Sequence, residues 1–137
     1  NAEKHVADNI KMYTATWDKI FNQRDIDQVN EQNFSTDVVL LGQKENIRSK
    51  GIEGFKKSFN YYLTTFSNIK FTFIDVWGHG DKLVKHWNFK GTHTATGKPM
   101  DLSGVTLVKM KDGKIIEEQD FDDNLSYNQQ LGHFLVK

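Results

Sequence analysis

The sequence predicts an α+β fold in which helices come first and an antiparallel sheet follows. Three observations predict it: apolar residues recur at steps of three and four up to Phe66, alternation takes over after it, and Asp112-Gly113 separates the last two extended runs.

Val6, Ile10, Tyr13, Trp17, Ile20 and Phe21 fall on one stripe of an amphipathic first helix. Asp25 suits the cap of a short second helix carrying Ile26 and Val29. VVLLG, Val38 to Gly42, is short and β-branched and reads as a first strand. The helical period returns from Ile52 to Phe66, with Phe55, Phe59, Tyr62 and Leu63 on its apolar side. Four extended runs, 69–77, 82–91, 101–110 and 114–122, then form a meander broken by Gly78 to Asp81, Thr94 to Pro99 and Asp112-Gly113. Asp-Gly suits a type I′ turn, which needs positive φ at both central residues. A two-residue loop there makes Lys111 face Lys114, and sets Leu107 opposite Glu118, Val105 opposite Asp120 and Ser103 opposite Asp122.

The last run ends in EEQDFDD, residues 117–123, with five carboxylates in seven positions. Glu118, Asp120 and Asp122 share one strand face, and Glu117, Gln119 and Phe121 the other. In the register above, the acid row shares its face with Ile116, Val105 and Leu107, a surface apolar at one end and acidic at the other, as ligand pockets are commonly lined. Leu102, Val108, Met110, Ile115 and Phe121 make the opposite face apolar as well. A sheet apolar on both faces predicts helices on one side and a second copy of the chain on the other, hence a homodimer.

The 137 residues fit one domain, 1–137. Eighteen basic residues balance eighteen acidic ones, which gives no electrostatic footprint for nucleic acid or an anionic membrane surface. The absence of cysteine excludes disulfides, a thiol nucleophile and thiolate metal ligation. No apolar run approaches the roughly 18 residues of a membrane span, so a soluble chain is expected. It begins at Asn1 rather than Met, which is compatible with removal of a leader, so cytoplasmic and exported locations both stay open.

The order GFKKSF, then FTFIDVWGHGDKLVKHWNFKGTHTATGKPMDLSGVTLVKMKDGKIIEEQDFDD, then NLSYNQQLG resembles the SnoaL-like polyketide cyclase family of the nuclear-transport-factor-2-like superfamily. The resemblance runs from the first helix to Gly132, and its most specific pieces are GTHT (91–94), TGKP (96–99), DGKIIE (112–117) and QQLG (129–132). It implies a cone-shaped α+β barrel, with N-terminal helices packed into a curved antiparallel sheet around a hydrophobic pocket, in a dimer packed through the sheets. It further implies that an aspartate on the last strand, in a His-Trp-Asp context, serves as general acid/base for an intramolecular aldol ring closure without metal or organic cofactor. Asp120 matches that position. Glu118 stands where histidine is frequent, Gln119 where tryptophan is, and His86 where arginine is common. These departures bear on the substrate rather than on the fold.

Asp120 is therefore the candidate proton acceptor, with His86 as its catalytic partner. His86 shares a strand face with Val84 and Asn88, and on the pocket side it would exchange a proton with Asp120 or hold a substrate oxygen. The expected substrate contacts are His93 at the pocket mouth, Asn88 and Glu118, with Val105, Leu107 and Ile116 as apolar wall. Trp17 and Phe59 are the expected aromatic lining. No metal is expected, since no His-x-His or His-Glu-x-x-His spacing joins His86, His93 and Asp120. Ser103 and Ser126 lack a nucleophile elbow. The expected function is a cofactor-independent acid/base enzyme, cyclase- or isomerase-like, acting on an apolar carbonyl-bearing or aromatic small molecule. The alternative is a non-catalytic small-molecule-binding module of the same fold.

Overall fold

The structure, a computed structural model, describes residues 1–132; His133 and the residues after it lie outside the description. Helix α1, Ala2–Phe21, starts at Asn1, whose side chain accepts the Lys4 N–H at 2.9 Å. This satisfies one of the first-turn donors that have no partner within a helix. Tyr13, Trp17, Ile20 and Phe21 are buried, with Val6 and Ile10 at the margin of the core. Asp25 caps a 3-10 turn, Ile26–Gln28, in place of the expected second helix. Strand β1, Phe34–Leu41, pairs with β2, Ile47–Lys50, which the sequence reading missed because IRSK, on the sheet edge, carries no apolar alternation. Helix α2, Gly51–Thr65, sets Phe55 and Phe59 against Trp17 with ring centroids 6.1 and 4.7 Å apart.

The meander is β3 (Phe66–His79), β4 (Lys82–His93), β5 (Pro99–Lys111) and β6 (Lys114–Asp122), followed by α3 (Asn124–Gln130) capped by Asp123. Strand order is β2-β1-β6-β5-β4-β3. The edge strands β2 and β3 do not pair, so the curved sheet wraps the helices without closing. The α+β expectation holds. One ladder departs from the antiparallel scheme: β1 runs parallel to β6, because a long excursion through β2, α2 and the meander separates them. Among the described residues no helix is long and apolar enough to cross a membrane.

The last hairpin turns as expected, with φ of 52° at Asp112 and 76° at Gly113 and Lys111 facing Lys114. The ladder beyond it does not. Met110 pairs Ile115 but Lys109 pairs Glu117, so Ile116 is the extra residue of a β-bulge. The register slips by one, and Glu118 lies opposite Val108, Asp120 opposite Thr106 and Asp122 opposite Gly104. The acid row thus shares the inner face with Thr106, Val108 and Ile115, whereas Val105, Leu107 and Phe121 point outward.

Candidate functional site

Pairing across β4, β5 and β6 lays three rows on the inner face: Leu83–Val108–Glu118, Lys85–Thr106–Asp120 and Trp87–Gly104–Asp122. Gly104 positions the middle row. A Cβ there would overlap the Trp87 indole, so glycine lets the ring lie across β5. Trp87 Nε1 then donates to Thr106 Oγ1 at 2.9 Å, and Thr106 donates to Asp120 Oδ1 at 2.6 Å. A charge-assisted bond of that length holds the carboxyl orientation. Asp120 Oδ2 takes no hydrogen bond among the described residues.

The Asp120 carboxyl faces a two-part cavity. The inner chamber, about 40 Å³, has aromatic walls from Phe21, Phe59, Tyr62, Phe71 and Phe89, with Lys85, Thr106 and Asp120 among its lining. The outer chamber, about 370 Å³, shares Arg48, Phe59, Tyr62, Tyr127, Asp120 and Asp122 with it. At the mouth, burial and the charge of Asp120 raise Asp122 against the pull of Arg48. Burial pushes the Tyr62 phenol up to about 12, helped by Asp120 and Asp122.

Beneath the inner chamber sits a buried charge cluster. Lys85, 3 % exposed, holds its ammonium 4.6 Å from the Trp17 ring, 5.0 Å from Tyr13 and 5.2 Å from Phe71. Its Nζ is 3.7 Å from Glu118 Oε1, an ion-pair contact too long for a hydrogen bond. Glu118, 1 % exposed, accepts the Tyr13 hydroxyl at 2.5 Å. Among the described residues Glu118 Oε2 and Trp17 Nε1 are buried without hydrogen-bond partners, although the indole lies near enough to favour the ionised acid. Burial dominates and pushes Glu118 up to about 7, with Lys85 pulling down and Asp120 pushing further up. Burial likewise lowers Lys85, against the pull of Glu118 and Asp120. Tyr13 is driven up by burial first and by Glu118 second.

Of the residues expected at the site, Asp120 and Phe59 line the cavity and Glu118 lies under it. The others are elsewhere. His86 is exposed on the outer face between Asp75 and Val105, so the sheet separates it from Asp120 and no proton passes directly between them. The inner face of β4 is the apolar one, Leu83, Trp87 and Phe89. Asn88 also points outward, donating to Asp101 Oδ1 at 2.6 Å and Ser103 Oγ at 3.1 Å. Val105 and Leu107 point outward, the bulge in β6 having set the acid row on the opposite face from them, and Ile116 lies beside the turn, away from the cavity. His93, at the end of β4, contacts Thr96 Oγ1 at 2.8 Å and the Phe66 ring edge, and does not line either chamber. Trp17 is fully buried behind Lys85 rather than exposed to the cavity. The sequence reading missed Lys85, Thr106 and Trp87. The signal for Lys85 was present: alternation in KLVKHWNF places one cation on the same face as Leu83, Trp87 and Phe89.

Known structures share this architecture. A protein from Jannaschia sp. CCS1 assigned as a SnoaL-like polyketide cyclase superposes with a TM-score of 0.84 at 18% identity, covering 96% of this chain and 96% of that one. One from Bacillus cereus ATCC 10987 assigned as a polyketide cyclase gives 0.77 at 24% identity, covering 96% and 85%. A protein with a ketosteroid isomerase-like fold from Catenulispora acidiphila DSM 44928, in complex with trimethylamine, gives 0.74 at 16% identity, covering 87% and 91%. At these identities the likeness is one of fold, that of the ketosteroid isomerase-like proteins. The SnoaL-like polyketide cyclase family model matches residues 7–131, and the chain belongs to that family. No curated protein matches it in sequence.

Proposed function

We propose that the cavity binds an apolar, carbonyl-bearing or aromatic small molecule and that Asp120 moves a proton at the carbon next to its carbonyl, as a cyclase or isomerase requires. One observation carries this reading. Asp120 stands on the wall of an aromatic cavity with Oδ1 fixed by Thr106 and Oδ2 unbonded among the described residues, as a group that must exchange a proton with a ligand should be. Family membership supports the same reaction class. Deuterium exchange at the α-carbon of a panel of enolisable ketones, followed by NMR, requires no knowledge of the product. The wild type should catalyse exchange of at least one compound, and Asp120→Asn should slow it by about a hundredfold or more while keeping fold and affinity. Unchanged exchange in the Asn variant would remove Asp120 from the chemistry, and binding without exchange in either protein would make the domain a binding module.

We also propose that the outer face pairs two copies of the chain. Trp77, Val84 and Leu107 form one outward row and Val105 with Phe121 extends the next, with Trp77 58% and Leu107 42% exposed. Sedimentation velocity should show a dimer that Leu107→Lys dissociates; a monomeric wild type at micromolar concentration would refute it.

A further inference from the structure

We propose that Lys85 is the oxygen-holding group of the cavity, a built site for the enolate of an enolisable ketone or for a phenolate of similar shape. The inference rests on the cavity being a small-molecule site. Lys85 and Asp120 belong to one cross-strand row with Thr106 between them, so their backbones lie about 10 Å apart, two strand spacings. Both side chains line the inner chamber. That chamber, about 40 Å³, admits a few water-sized groups. A ring fits the outer chamber, about 370 Å³, and only a small polar head reaches the lysine.

The ammonium is also short of partners. Lys85 carries three donors, and its nearest carboxylate oxygen, at 3.7 Å, is beyond hydrogen-bond reach. The carboxylate already accepts Tyr13. Aromatic rings on three contacts hold the cation in place but satisfy none of its donors. A buried cation so placed should accept an anionic oxygen that enters from the chamber. Burial makes the ammonium a stronger acid than an exposed lysine, which suits it to sharing a proton with an enolate. The step balances within substrate and chain: the α C–H bond breaks, its proton passes to Asp120, its electron pair becomes the enolate C=C, and the carbonyl π pair moves to the oxygen held by Lys85.

The test uses 4-nitrophenol, whose phenolate mimics the enolate and absorbs distinctly from the phenol, and 4-nitroanisole as its non-ionising methyl ether. Wild type should bind the phenolate about tenfold or more tighter than the ether, and Lys85→Met should abolish that preference while still binding the ether. Should Lys85→Met fail to fold, Lys85→Met/Glu118→Gln leaves no lone buried charge and should lose the same preference. Equal affinity for the two compounds in wild type, no binding of either, or a preference that survives in the lysine variants overturns the proposal. Exchange at the α-carbon lost in Asp120→Asn but intact in Lys85→Met would overturn it while leaving the acid/base reading in place. Loss of phenolate preference in Lys85→Met, with no exchange in any protein, would keep the oxygen site and end the enzyme reading.

Discussion

Glu117 and Glu118 are consecutive, each meets a lysine of the same meander, and the sheet lies between them. Glu117 points outward to Lys109 at 3.2 Å, with the lysine half-exposed. Glu118 points inward to Lys85 at 3.7 Å, with both side chains buried. Outside, water screens each charge and the pair contributes about 0–1 kcal/mol. Inside, desolvation opposes both charges and drives both toward neutrality. The inner pair is therefore no clasp on the fold. It is a strained electrostatic element that the surrounding core tolerates at the foot of the cavity.

The widest separation between the two pairs is expected from removing one lysine at a time. At pH 8, Lys85→Met removes the cation that pulls Glu118 down, so the buried acid must take up a proton or stand uncompensated, and stability should fall by about 3 kcal/mol or more. Lys109→Met should cost about 0–1 kcal/mol. Denaturant midpoints measure both, and equal losses would break the contrast. Next in size is Gly104→Ala, which forces the Trp87 indole off β5 and should cost about 1–3 kcal/mol, with a change in near-ultraviolet circular dichroism. An unchanged midpoint and spectrum would show that the Trp87–Thr106–Asp120 chain does not depend on that close approach.

A pH series sharpens the comparison further. Glu118 titrates near 7 in the fold against an ordinary value near 4.5, so between those values the native state holds a proton that the unfolded chain has released. Stability from this group is therefore lost as pH rises through that window, and the loss is complete above about 7. Relative to wild type, Lys85→Met/Glu118→Gln should show a fall between pH 5 and pH 8 that is shallower by about 2 kcal/mol. Parallel profiles would mean that Glu118 is not held up by burial. The smallest effect belongs to His86→Ala on the outer face, which should leave stability within about 0.5 kcal/mol and α-carbon exchange unchanged.

Most elements were legible because they follow periodic signals: α1 and α2 from their stripes, the meander from its alternation, the last turn from Asp112-Gly113. Strand β2 and helix α3 carry no apolar period, and their places come from pairing and capping instead. The grouping of Glu118, Asp120 and Asp122 on one face was readable from the two-residue period of β6, but their neighbours were not. Extending the hairpin register past Ile116 assigned Val105 and Leu107 to a surface that they do not share. The choice of His86 over Lys85 followed from placing the cavity on the more polar face of β4, whereas the helices cover the more apolar one.

Bulges have a direction in chain length, and the one at Ile116 implies a lopsided tolerance to gain and loss of residues. Deleting Ile116 would straighten the ladder and still pair Met110 with Ile115 and Lys109 with Glu117, so every carboxylate would keep its present side. Adding a residue at the same point would have to enlarge the kink or turn the whole row over, presenting Glu117, Gln119 and Phe121 to the cavity. Shortened chains should therefore keep the acidic lining where lengthened ones forfeit it.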